Sequence, residues 1–191
     1  MIRLFSMLAL LALTSVPALA ERDLNYSYLE VRYQDAEVDI DGAEPIDGDG
    51  FVLGGSLAVA DNLFLFINRD ELEFDDGVTL DTRVLGGGLM FDIGPRVDVV
   101  FRAGLVDGEF ADPLFIDDDD GYLVSAGIRA LVTDTIELHG NMSRIDFDNF
   151  DEEDIATFGA EFYISEHLSV GPAISLIEDT TSISVGARLY F

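Results

Sequence analysis

Cysteine, tryptophan and lysine are all missing from this 191-residue chain. Without cysteine there is no disulfide framework, no thiolate metal knuckle and no thiol nucleophile to consider. Without lysine, ten arginines stand against 38 acidic residues and the net charge is −28, which excludes a basic nucleic-acid surface and favours cations at long range. Proline is scarce, and no Pro-, Ser- or Gly-rich stretch is long enough for an interdomain linker, so the chain reads as one unit. What is present contradicts itself for a water-soluble protein: 49% of residues are hydrophobic and the mean hydropathy is +0.26, beside that large charge. Apolar and anionic parts must be segregated in space.

Residues 1–20 are organised like a secretory signal, with Arg3 as a thin positive end, Leu4 to Leu13 as an apolar core and Pro17-Ala18-Leu19-Ala20 as a small-residue cleavage site. Processing near Ala20 leaves residues 21–191 as the mature unit. The apolar run is shorter than the roughly 20 residues that a membrane helix needs, and no later run is longer. Membrane association of the mature part must then use strands.

Beyond Glu21 the chain repeats one pattern, an alternating run followed by either a tight turn or an acidic stretch, with almost no helical periodicity. Ten runs are predicted: Asn25 to Gln34, Gly50 to Ala60, Leu63 to Asp70, Asp81 to Asp92, Val97 to Asp107, Gly121 to Val132, Thr135 to Asp146, Asp154 to Ile164, Leu168 to Ile177 and Thr181 to Phe191. Tight turns at Asp61-Asn62, Ile93-Gly94-Pro95-Arg96, Thr133-Asp134 and Ser165-Glu166-His167 alternate with acidic loops at 35–49, 71–80, 108–120 and 147–153 and a short fifth at 178–180. Short turns at one end and longer loops at the other describe an up-and-down antiparallel barrel.

The two faces of each run decide the surroundings. In the sixth, Tyr122, Val124, Ala126, Ile128, Ala130 and Val132 lie opposite Gly121, Ser125, Gly127 and Arg129. In the last, Ile183, Val185, Ala187, Leu189 and Phe191 lie opposite Ser182, Ser184, Gly186, Arg188 and Tyr190. The bulky face is the apolar one, and a thin Gly/Ser face makes a poor exterior but leaves room inside. The pattern therefore fits an all-β transmembrane barrel, with an apolar band of about 25 Å toward lipid and small residues toward the lumen. A soluble all-β fold is the competing reading.

Charge follows the same geometry. Of the 38 acidic residues, 28 fall in the segments 35–49, 70–81, 107–120, 146–154 and 178–179, which hold no basic residue. The lumen-facing positions instead carry Arg32, Arg102, Arg129 and Arg188 beside Glu30, Asp98, Glu137 and Glu161, with His139 near Glu137. Buried charges are costly unless paired, so these residues are expected to form an ionic plug, with Arg129, Glu161 and Arg188 at similar depth and Glu137 bridging.

The acidic run before Asp49-Gly50-Phe51-Val52-Leu53-Gly54-Gly55, the turn Asp61-Asn62-Leu63-Phe64, the signal segment and the ending Ser184-Val185-Gly186-Ala187-Arg188-Leu189-Tyr190-Phe191 together resemble the small OmpA-like and OmpX-like outer-membrane β-barrel proteins. The likeness spans residues 21–191. It implies a bacterial outer-membrane location after export, a monomer, partners in outer-membrane lipid, lipopolysaccharide and the barrel-assembly machinery, and no nucleic acid. Leu189, Tyr190 and Phe191 resemble the terminal signal that the machinery receives. The count of ten strands departs from the eight common in that group, which stays as an alternative, and no peptidoglycan-binding domain is expected after the last strand.

The resemblance fixes architecture better than activity. A non-enzymatic structural or interaction barrel with a plugged interior leads; a narrow cation-preferring channel is second, because small barrels are filled by side chains whereas ten strands leave room for a slender gap. A lipid A-modifying or proteolytic barrel enzyme is third, since neither His139 nor His167 has a defensible serine nearby. No cofactor is expected, although calcium or magnesium could sit loosely on the acidic loops. Glu37, Asp39 and Asp41 match the start of a calcium loop, but its twelfth position is Gly48, and Asp117 and Asp119 belong to a self-repelling acidic run.

Overall fold

The computed structural model describes residues 23–39, 45–75, 77–112, 115–149 and 152–191. The predicted signal segment lies outside them. Period-two alternation produces ten strands: β1 (Tyr28–Val38), β2 (Ile46–Ala60), β3 (Leu63–Phe74), β4 (Thr79–Gly94), β5 (Val97–Asp112), β6 (Phe115–Thr133), β7 (Ile136–Phe147), β8 (Glu153–Ser165), β9 (Leu168–Ile177) and β10 (Thr180–Tyr190). Each pairs antiparallel with its chain neighbours, and β1 closes on β10 from Tyr28↔Tyr190 to Val38↔Thr180. Closure leaves no strand edge in the wall, the one way a sheet can satisfy its peptide groups in hydrocarbon.

The predicted facings hold. Ile128 (45%), Val185 (40%), Leu105 (73%) and Leu85 (63%) are exposed on the outside, as an apolar band against lipid requires, whereas Arg129 and Arg188 are buried within. The turn end is built from two-residue connections, Asp61-Asn62, Pro95-Arg96, Asp134-Thr135 and Glu166-His167. A register shift lies beside each of these turns, at Ala58/Ala60, Asp92/Gly94, Leu131/Thr133 and Tyr163/Ser165. Such bulges tighten the local twist and let the rim curl. Arg96 ion-pairs with Asp134 between two neighbouring turns.

The loop end differs from the sequence expectation. Most of residues 35–49, 71–80 and 108–120 is not loop but strand, and the connections shrink to 39–45, 75–78, 113–114, 148–152 and 178–179. β6 has 19 residues, about 65 Å of chain, whereas a tilted strand needs only about ten to cross. The physical reason lies in the pattern, which inverts at the membrane boundary. Below it the apolar residues point out; above it Asp35, Asp49, Glu71, Glu73, Asp107 and Asp118 point into water while Ala36, Phe74 and Val106 turn inward and are buried. The wall thus continues as a water-soluble barrel on the same hydrogen-bond ladder. Gly77, at φ 87°, turns β3 into β4 in a backbone region that side chains disfavour.

These facings carry a direct test. Ile128→Arg or Val185→Arg puts a cation in lipid and should destabilise the barrel by about 2 to 4 kcal/mol, whereas Ser125→Arg faces the lumen and should be tolerated better. The folded fraction on unheated gels checks this, and equal tolerance at all three positions would reverse the assignment.

Candidate functional site

The lumen is the only place where charged side chains of the described residues are enclosed by the wall, and β1, β8, β9 and β10 build its polar arc. Arg32 lies flat across Gly186, where an added Cβ would come within 2.2 Å of its Cγ. Its guanidinium pairs with Glu161, donates from Nη1 to the Gly171 carbonyl at 3.1 Å and lies 3.2 Å from Glu30 through Nε. Arg188 pairs with Glu30 and sits 3.6 Å from Glu161, whose second oxygen accepts from Ser169 Oγ at 2.6 Å. Glu161 is completely buried, so its desolvation has to be offset by these three partners.

A second cluster lies beside the first. Arg129 makes a bidentate contact with Glu137, at 2.7 and 3.0 Å, and Tyr163 donates to the same carboxylate at 2.5 Å. Glu137 and Glu161 are register partners on β7 and β8, so the two clusters abut at one depth. Below them Tyr163, Tyr190 and Tyr28 pack ring to ring, at 5.4 Å for Tyr163–Tyr190 and 5.7 Å for Tyr28–Tyr190.

Residues 23–27, ahead of β1, enter the turn-end mouth. Tyr26 is buried, donates to Asp98 at 2.8 Å, stacks on Phe64 at 5.1 Å and lies under Arg129, whose guanidinium carbon is 4.3 Å from the ring centre. Arg129 also holds the Asn25 carbonyl at 3.1 Å. Beside this segment a cavity of about 630 Å³ is lined by Asp23, Asp61, Asp92 and Asp98 with Leu24 and Met90. Strands β3, β4, β5 and β7 also carry an apolar cluster, in which Phe64, Phe66, Val84, Val100, Val106 and Ile145 pack with Tyr26. Ions, tyrosines and an aliphatic cluster thus share the lumen.

The family model described as "Outer membrane protein beta-barrel domain" matches residues 6–163, most of the chain. The chain belongs to this outer-membrane β-barrel family. No curated protein matches it in sequence. Solved structures similar to this barrel include an outer-membrane channel from Pseudomonas putida F1, at 9% identity and TM-score 0.53, covering 93% of this chain and 100% of that one. The NanC porin is similar at 7% identity and TM-score 0.50, over 85% of this chain and 100% of the porin. The N-terminal barrel domain of OprF from Pseudomonas aeruginosa follows at 12% identity and TM-score 0.46, over 87% and 100%. At such identities the likeness is one of fold; it is membership of the family that places the chain in the bacterial outer membrane.

Within this family barrel the sequence-predicted residues fall into place unevenly. Glu30, Arg32, Glu161 and Arg188 meet one another, and Arg129 meets Glu137. Asp98 and Arg102 do not pair. Asp98 is taken by Tyr26, while Arg102 lies 5.8 Å from the centres of both the Phe64 and Phe66 rings, its Nε without a hydrogen-bond partner. A guanidinium over aromatic faces is partly compensated by the ring quadrupoles. His139 is not a hydrogen-bonded member of the network either, because its Nδ1 is buried without a partner and its ring fills the space above Gly159.

Tyr26, Tyr163 and Ser169 carry no charge pattern that marks them in the sequence, and the first run, predicted from Asn25, begins as strand only at Tyr28, which leaves Tyr26 free to enter the mouth. Of the weak metal candidates, Asp41 lies outside the described residues. Asp119 accepts from Asn149 N and Nδ2, both at 2.8 Å, Asp117 and Glu37 are exposed, and Asp39 N donates to the Asp179 carbonyl at 2.8 Å. Among the described residues no group of three His, Asp or Glu side chains could hold a metal ion. The terminal residues divide by face: Tyr190 is buried inside, whereas Leu189 (53%) and Phe191 (63%) are exposed outside.

Two measurements probe the lumen. Glu161→Ala leaves Arg32 and Arg188 short of a counter-charge and should cost about 3 to 5 kcal/mol in denaturant unfolding, less where water enters. The double change Glu161→Ala with Arg32→Ala should recover part of that loss, and a cycle without coupling would dissolve the pair. Tyr26→Phe removes only the donor to Asp98 and should cost about 1 kcal/mol, whereas Tyr26→Ala also empties the mouth and should cost about 3 to 5 kcal/mol. Equal losses for the two would mean that ring packing contributes nothing.

Proposed function

We propose that this protein is a closed, non-catalytic outer-membrane barrel that projects an acidic wall from the cell. The observation that supports this reading is the set of side chains that meet inside the lumen: Glu30, Arg32, Glu161 and Arg188 tie β1, β8 and β10, Arg129 and Glu137 tie β6 and β7, and Tyr26 at the mouth reaches Asp98 on β5. Short turns of such barrels face the periplasm, which puts the acidic extension outside. His139 supports a structural role over a catalytic one: it sits against Gly159 with no serine in hydrogen-bond contact among the described residues. Leu189 and Phe191, held at the outer face of the closing strand, suit delivery to the barrel-assembly machinery, and nothing in the wall calls for a second copy.

The extension also supports loose bridging of calcium or magnesium to lipopolysaccharide. Asp35, Asp49 and Glu73 are exposed, successive register partners across β1 to β3, and carboxylates directly opposite one another repel unless cations intervene. The turn-end cavity with its four aspartates favours a second reading, a narrow cation-preferring pore.

Planar-bilayer recording of the refolded protein decides between them. The closed barrel should show no steady conductance with or without calcium; steady, cation-selective steps in the wild type would move the pore to first place. Topology has its own check. Intact cells should resist trypsin, because Arg69, Arg83 and Arg144 lie within paired strands, yet release fragments to a Glu-specific protease acting at the connections. Rapid tryptic cutting on cells would reverse the orientation.

A further inference from the structure

Among the described residues, three arginines point outward from the wall: Arg69, Arg83 and Arg144, each about half exposed. Arg69 and Arg83 are direct register partners across β3 and β4, a like-charge opposition that a sheet ordinarily avoids. Asp81 holds them together. Its carboxylate is 2.7 Å from Arg69 Nη2 and 2.9 Å from Arg83 Nη2 and is only 7% exposed, so one anion is enclosed between two cations whose outer edges stay open. Their remaining acidic contacts, Glu71 at 2.7 Å and Asp107 at 3.3 Å, are exposed rim residues.

The depth of this pair is fixed by the ladder. Two residues below it runs the row Ile67↔Leu85↔Leu105, with exposures of 58%, 63% and 73%, the upper edge of the apolar band. Below that the outward positions are Gly87 and Ala103, which thin the wall. Ile67, Leu85 and Leu105 line an outer depression of about 210 Å³ whose upper end is closed by Arg83 with Asp107 and Asp120. An apolar depression at the top of the band therefore ends at Arg83, beside its register partner Arg69, on a rim that is otherwise anionic.

We propose that Arg69 and Arg83 hold the phosphate of a phosphorylated lipid headgroup in the outer leaflet, with an acyl chain of the same lipid in the groove over Leu85 and Leu105. Guanidinium edges bind phosphate oxygens through paired, charge-assisted hydrogen bonds, and a phosphate would displace Glu71 and Asp107 from the rim side of the pair. The acidic rows repel anionic headgroups elsewhere, so the arginine pair selects where around the wall such a lipid settles. This rests on the outward placement of the loop end proposed above.

Native mass spectrometry of the refolded barrel with bisphosphorylated lipid A tests it. The wild type should retain the lipid, Arg69→Gln with Arg83→Gln should lower the bound fraction about tenfold, and lipid A stripped of phosphate should bind about tenfold less. Arg144→Gln, compared with the single change Arg83→Gln, removes one equal charge from a site without the groove, its guanidinium closed by Asp154 at 2.8 and 2.6 Å, and should stay within about twofold of wild type. If the double variant does not fold, Arg83→Lys keeps the charge, loses the planar fork and should still weaken retention. Equal losses in Arg144→Gln, equal binding of dephosphorylated lipid, or inorganic phosphate displacing the lipid at equal concentration would each overturn the assignment. A barrel of inverted topology would still retain the lipid in detergent but fail the cell-surface protease assay, which separates the two failures.

Discussion

A peptide group in hydrocarbon has no water to turn to, and an unsatisfied one costs several kcal/mol. Every other property of this molecule follows from how the chain answers that demand. The ladder must close, and the β1–β10 seam is held by more than backbone: Phe191 N reaches the Ser27 carbonyl at 3.2 Å, Ser27 Oγ accepts from Ala58 N at 3.1 Å, and Tyr28 packs on Tyr190. The segment ahead of β1 thus ties the first two strands to the last. Closure and filling of the mouth are one event, since the residues that brace the seam are continuous with Tyr26.

Closure also sets the chemistry inside. With most large apolar side chains on the lipid face, inward glycines and serines leave room in the lumen for charged and aromatic side chains. Into it point ion pairs, one group on β1, β8 and β10 and another on β6 and β7, beside an aliphatic and aromatic cluster drawn from β3, β4, β5 and β7. Arg129 joins the halves, carrying Glu137 on its edge and Tyr26 on its face. Buried ion pairs are a poor source of net stability, but they are specific about geometry, and here they link five strands, β1, β8 and β10 in one group and β6 and β7 in the other.

Much of this was legible from alternation alone. Strand number, the outward Ile128 and Val185, the inward Arg129 and Arg188, and the four tight turns all follow from period-two pattern and turn chemistry. Pairing was not. Which carboxylate meets which arginine depends on register, and register depends on bulges such as Asp92/Gly94 that leave no clear mark in composition; so Asp98, expected among the ion pairs, instead accepts from Tyr26. The extension was misread for a different reason. Asp and Glu are poor strand formers in isolation, and a dense acidic run looks like loop, but a chain already paired below the boundary propagates its ladder upward, with Glu71-Leu72-Glu73-Phe74 alternating in the opposite sense.

A surface made of paired strands ages differently from one made of loops. A loop can lengthen by any number of residues, whereas a single residue added within the acidic part of β5 or β6 would exchange its faces, turning Val106 outward and Asp107 in. Tolerated changes there would have to come two at a time and be matched on the neighbouring strand, or be absorbed as a bulge. Variation in length among descendants of this barrel should therefore gather in the five short connections, while the wall between them varies in side chain but keeps its parity.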